Sequence, residues 1–123
     1  MKKRGIIVIC LVAVLFTVAH MGRSSIKETI DGKLVGYVQV KEYTKPLAVV
    51  ESSGKTFYIA LLSNTVAIDE TGVFDNELLE RLLNGNLTDI RIHVEEAEKG
   101  KTVSIDGKKE TVWQVYQIYK KES

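Results

Sequence analysis

The stretch "TIDGKLVGYVQVKEYTKP", residues 29–46, decides how the rest of the chain is read. From Lys33 to Tyr43 it alternates, with Leu34, Gly36, Val38, Val40 and Glu42 on one side and Val35, Tyr37, Gln39, Lys41 and Tyr43 on the other. That is the period of two of a strand. Gly36 inside a β-forming run marks either a weak spot or a bend where a sheet coils. Asp31-Gly32 ahead of the run is a type I′ turn signal, because both central residues of that turn need positive φ. The segment "SIKETI", residues 25–30, is therefore expected to fold back on the strand. Pro46 cannot donate to a ladder and ends the run.

The pattern recurs in "SIDGKKETVWQVYQIYKK", residues 104–121, which shares Ile30/Ile105, Asp31/Asp106, Gly32/Gly107, Lys33/Lys108, Gln39/Gln114 and Val40/Val115 with the first stretch. A duplicated unit would extend the match beyond the two strands, and it does not. The echo reads as one local solution used twice, an Asp-Gly turn entering a strand. A cation loop at Asp31 and Asp106 is disfavoured, since Lys33 and Lys108 stand where further oxygen ligands would be needed. Gln39 and Gln114 have no account at this level.

Between the two copies, "LAVVE" (47–51), "SSGK" (52–55) and "TFYIALL" (56–62) form a hairpin pattern around a Gly-containing loop. "DNELLERLLNG" (75–85) is a short helix, with Asp75 as N-cap, a stripe of Leu78, Leu79, Leu82 and Leu83, and Asn84-Gly85 as its stop. "TDIRIHVEE" (88–96) is a strand with Ile90, Ile92 and Val94 inward and Arg91, His93 and Glu95 outward. A long hairpin-bearing loop, "EEAEKGKTVSIDGK" (95–108), leads to the last strand. This order, with a first strand coiled at Gly36 and one helix between the third and fourth main strands, resembles the OB-fold over roughly residues 33–120. The resemblance rests on element order and names no particular family. It implies a mainly β protein, a small five-stranded OB-like Greek-key barrel with one short helix. It implies little about ligand, since that fold hosts oligonucleotide, oligosaccharide and protein binders.

Ahead of this domain stands "MKKRGIIVICLVAVLFTVAHMGR", with Lys2, Lys3 and Arg4 before an uncharged stretch from Gly5 to Gly22. Eighteen residues at the helical rise give about 27 Å, close to a hydrocarbon core of about 30 Å. The stretch fits an N-terminal transmembrane anchor or a signal peptide. The weak cleavage candidates Thr17-Val18-Ala19 and Gly22-Arg23-Ser24 favour the anchor. The chain is thus expected to divide into a membrane segment, 1–23, and an extracytoplasmic β domain, 24–123. The basic head favours an inside N-terminus, giving a single-pass protein of the cell membrane with its domain outside, or a secreted one if cleaved. Cys10 lies within the apolar stretch after Ile9, where a lipidated cysteine would follow a small residue, so the exported part has no thiol.

Of 17 basic residues, removing Lys2, Lys3 and Arg4 leaves 14 against 16 acidic ones, a net charge near −2. This balance leads to the expectation that nucleic acid is not a partner, because phosphate binding usually shows an excess of Lys and Arg on one face. His93, between Arg91 and Glu95, reads as solvated, and Ser52, Ser53 and Ser63 lack a nucleophile motif. The expectation is a protein with no catalytic set, no cofactor and no metal. The aromatic residues carry the positive signal. With Leu34, Val38 and Val40 inward, Tyr37 points out, and with Phe57, Ile59 and Leu61 inward, so does Tyr58. The last strand is apolar on both faces, Val112, Tyr116 and Ile118 on one and Trp113, Val115 and Tyr119 on the other. Either both sides are buried or one meets a partner. Tyr37, Tyr58, Trp113 and Tyr116 are the candidate contact residues. The implied protein is an extracytoplasmic binding module contacting another envelope protein. A cell-wall glycan binder is the alternative, and a small hydrolase stands further behind.

Overall fold

The computed structural model describes residues 26–122, and the segment 1–23, expected to be a membrane anchor or signal peptide, lies outside them. Among the described residues no helix is long and apolar enough to cross a membrane. The elements are β1 (Lys27–Val38), β2 (Leu47–Ser52), β3 (Lys55–Ile68), α1 (Asn76–Leu83), β4 (Ile90–Ile105) and β5 (Lys108–Lys121). The strands close into a barrel in the order β1-β2-β3-β5-β4. All neighbours are antiparallel except β3 and β5. This is an OB-like five-stranded barrel with one helix, as the element order implied.

The two Asp-Gly pairs have different fates. Asp106 and Gly107 take φ of 53° and 79° and turn the chain tightly from β4 into β5. Asp31 and Gly32 make no turn, because β1 runs straight through them, paired with β4 on one side and β2 on the other. The reason is tertiary. Ile30 and Leu34 are fully buried, so the alternation is worth more as one long strand. A Cβ on Gly32 would collide with the carbonyl oxygen of Glu51, and Ser52 Oγ donates to the Asp31 carbonyl at 2.6 Å. Glycine is used here for close approach between strands, not for positive φ.

A second correction concerns the phase of β1. Its pairing with β2 steps from Leu34↔Val50 to Gly36↔Val49, so Val35 is the extra residue of a bulge. A bulge reverses which face the following side chains take. Tyr37 thus packs against the main core beneath Leu34, while Val38 joins the opposite face.

The main core fills the barrel with Ile30, Leu34, Val50, Ile59, Ile92, Val94, Val115 and Ile118, and α1 caps it with Leu78 and Leu82. The helix starts as its sequence requires, Asp75 Oδ1 accepting from the Leu78 N–H at 3.0 Å. The pairing of β3 with β5 shifts register between Leu61 and Val66. There the buried Thr65 hydroxyl accepts from the Leu62 N–H at 2.7 Å and donates to the Val115 carbonyl at 2.7 Å, replacing the lost ladder bonds.

A second apolar cluster lies outside the barrel. It joins Leu47 of β2 and Ala60 of β3 to Val103 and Ile105 of β4, Val112 of β5 and Val40 of the loop after β1. The stretch expected as a loop, 95–108, is almost wholly strand. Its far half folds over the outer face of β2 and β3, and Val103 and Ile105 are buried there. The double-sided apolarity of β5 follows, with Val112 in the outer cluster and Val115 and Ile118 in the barrel.

Candidate functional site

The four candidate aromatic residues fall in different environments. Tyr37 donates its hydroxyl to the Leu87 carbonyl at 2.7 Å, tying β1 to the segment after α1. Burial pushes its pKa up to about 12, against the opposing pull of that hydrogen bond and of Arg81. Tyr58 stands opposite Ile59 as the alternation required, but that outer face is covered, and the ring packs half-buried against the second cluster. Burial first, then the charges of Glu110 and Asp106, push its hydroxyl above the usual tyrosine range. Trp113 sits edge-on to Phe57, ring centres 6.5 Å apart, against the main core. Tyr116 is 38% exposed and donates to Glu98 Oε1 at 3.3 Å. Three of the four rings are thus used in packing, and Tyr116 faces out.

Tyr116 belongs to a groove of about 350 Å³ along β4 and β5, lined by Glu95, Glu96, Glu98, Tyr116, Gln117 and Tyr119. A register irregularity creates it. Against β1, β4 spends three residues, Ala97 to Val94, where β1 spends two, Glu28 to Ile30. Val94 and Ala97 both point inward, so Glu95 and Glu96 are both turned out. On β5, Val115 and Ile118 are buried in the same spacing, and Tyr116 and Gln117 both emerge. The sequence showed these acids as a charged strand end and loop, because the register step against β1 that turns both Glu95 and Glu96 outward is set by tertiary pairing.

One edge of the groove is a row across three strands, Asp31↔His93↔Tyr119. Asp31 receives Arg91 Nη2 at 3.2 Å and His93 Nδ1 at 3.1 Å, while His93 Nε2 lies 3.7 Å from Glu95. His93 is half-buried against Tyr119, ring centres 6.3 Å apart, and not the solvated residue expected. Lys27 approaches Glu96 at 3.5 Å. Among the described residues no group of His, Cys, Asp or Glu is arranged to hold a metal ion. A wider hollow of about 530 Å³ lies beyond Tyr119. Its walls include ion pairs closed on themselves, Asp31 with Arg91 and Glu70 with Lys120. What distinguishes the groove is an exposed tyrosine face beside three carboxylates. That surface suits cationic or hydroxyl-rich groups.

Gln39 and Gln114 also find their uses. Gln39 Nε2 donates to the carbonyls of Val40 at 3.0 Å and Tyr43 at 2.7 Å, holding the loop that carries Val40 into the outer cluster. Gln114 packs where a Cβ on Gly100 would stand, 3.2 Å from that position.

No protein-family model and no curated protein matches the chain. Among solved structures, it is similar to the mitochondrial single-stranded DNA binding protein Rim1 of S. cerevisiae. The identity is 14% and the TM-score 0.40, covering 80% of this chain and 90% of that one. The expectation that nucleic acid is not a partner is withdrawn on this finding. It rested on the balance and distribution of charge along the sequence, and the matched structure is that of a protein that binds single-stranded DNA.

Proposed function

We propose that the chain is an extracytoplasmic binding module, held at a membrane by its N-terminal segment or released from it, that contacts another envelope protein through the β4–β5 groove. The observation that carries this reading is the exposed Tyr116 ring set among Glu95, Glu96 and Glu98, while Tyr37, Tyr58 and Trp113 are engaged in packing. Aromatic rings are common anchors of protein interfaces, and carboxylates beside them favour a partner that presents Lys or Arg. No catalytic step belongs to this reading. A glycan is the second candidate, because Tyr116 and Tyr119 offer ring faces while Gln117 and the carboxylates offer hydrogen bonds to hydroxyls.

The test uses the full chain and its Tyr116→Ser and Glu95→Lys/Glu96→Lys variants. Capture from solubilised membranes is compared with pelleting on cell-wall glycan and with binding of a labelled single-stranded oligonucleotide. Specific protein capture by the unaltered chain, lost in both variants, is the expected result. Equal capture by the variants, or binding of glycan or oligonucleotide in place of protein, overturns the protein reading.

A further inference from the structure

The turn between β3 and α1, "DETGVFDNE", residues 69–77, holds an apolar pair in the open. Val73 is 58% and Phe74 70% exposed. The turn is not slack. Asp69 Oδ1 accepts from the Thr71 N–H at 2.9 Å, the Thr71 hydroxyl at 2.7 Å and the Val73 N–H at 3.0 Å. The Asp69 N–H donates to the Val73 carbonyl at 2.9 Å, and the Asp75 N–H to the Ala67 carbonyl at 2.9 Å. A turn whose backbone is already held loses little further backbone freedom when its side chains are covered. Around it the stretch carries Asp69, Glu70, Asp75 and Glu77 and no cation of its own, and of these Glu70 is paired with Lys120 of β5 at 3.3 Å, which leaves the rim acidic on balance.

The same molecule carries a complementary cleft. At the other end of α1, Tyr43, Lys45, Leu62, Ser63 and Leu83 line a cavity of about 340 Å³ with mainly apolar walls. Lys45 stands at it, and Lys101 Nζ lies 5.1 Å from the centre of the Tyr43 ring. Neither lysine has a carboxylate partner among the described residues. The Tyr43 hydroxyl is buried without a hydrogen-bond partner among them. The chain therefore presents an apolar knob rimmed by acids and an apolar cleft rimmed by bases. The eight residues of α1 span about 12 Å between them. With the turn fixed by its hydrogen bonds, Phe74 does not reach the cleft of its own chain.

We propose that Val73 and Phe74 of one copy seat in the Tyr43–Leu62–Leu83 cleft of a second copy, forming a two-fold dimer in which the contact is made twice. A two-fold interface requires each copy to supply both halves, and each copy has both. The dimer leaves the β4–β5 groove open, so it stands or falls apart from the function proposed above.

The experiment uses the full chain in detergent. In a Cys10→Ser background, chains carrying Phe74→Cys and chains carrying Ser63→Cys are mixed under mild oxidation. A disulfide-linked dimer is expected from the mixture and not from either variant alone. By sedimentation equilibrium, Phe74→Ser and Lys45→Glu are each expected to weaken association tenfold or more. Mixing these two variants is expected to restore part of it, because the Lys45→Glu chain keeps its knob and the Phe74→Ser chain keeps its cleft. That recovery excludes misfolding as the cause of the loss. Absence of the mixed disulfide, association unaffected by Phe74→Ser, or Phe74-dependent binding to lipid vesicles by a monomeric chain overturns the proposal.

Discussion

At the scale of single residues, identical sequence takes opposite roles because different atoms surround it. Asp31-Gly32 and Asp106-Gly107 share their flanking Ile and Lys, yet one pair is mid-strand and the other a turn. Replacing each glycine by alanine separates the roles. Gly107→Ala imposes φ of +79° on a residue with a side chain, in otherwise open space, and should cost about 1 kcal/mol. Gly32→Ala drives a methyl group into the backbone of Glu51, and its thermal midpoint should fall several-fold further. Thr65→Val leaves the Leu62 N–H and the Val115 carbonyl without a partner, and denaturant unfolding should show a loss of about 1–3 kcal/mol. Tyr37 has a pKa of about 12 when folded, raised from 10.0. A raised folded pKa contributes stability that is complete below pH 10 and is lost as pH climbs towards 12. Alkaline melting curves should therefore fall across that window, and less steeply in Tyr37→Phe.

At the scale of elements, what was legible was what local chemistry decides. The Asp75 cap and the Leu stripe determine α1, and Ser53-Gly54, with φ of 52° and 81°, forms the tight turn the Gly-containing loop predicted. What was not legible depends on a distant neighbour. One extra residue at Val35 inverts the face of Tyr37, and nothing within "LVGYV" announces it. The run "EEAEKGKTV" has the composition of a loop, and it is strand because β5 lies beside it and Gly100 lets the two approach. Tyr116 was singled out from the sequence and is exposed, whereas its grouping with Glu95, Glu96 and Tyr119 was not legible, since only the paired register brings them together. The Val73–Phe74 pair was not read from the sequence, although two large apolar residues among acids, outside any expected strand, were there to mark it. The outer cluster gives a direct check on the long hairpin. Ile105→Ala removes buried side-chain volume against Leu47 and Val112, and should destabilise the domain by about 2–4 kcal/mol. A mobile loop at that position would leave the midpoint unchanged.

At the scale of the whole molecule, the barrel has used one of its faces to hold itself together. An OB-like barrel commonly meets ligands across its second and third strands, and here Leu47 and Ala60 on those strands are sealed by the β4–β5 hairpin of the same chain. The exposed tyrosine is displaced to the groove beside β4, among carboxylates. The central claim is that Tyr58 now serves stability while Tyr116 serves contact, and a paired comparison of Tyr58→Ser and Tyr116→Ser tests it. Melting and partner capture are measured on both. Tyr58→Ser is expected to lower the midpoint by several degrees, as a loss of about 1–2 kcal/mol does in a domain of this size. Tyr116→Ser is expected to melt within about 1 kcal/mol of the unaltered chain and to lose capture. Unchanged melting with lost capture for Tyr58→Ser, and full capture by Tyr116→Ser, would contradict the account.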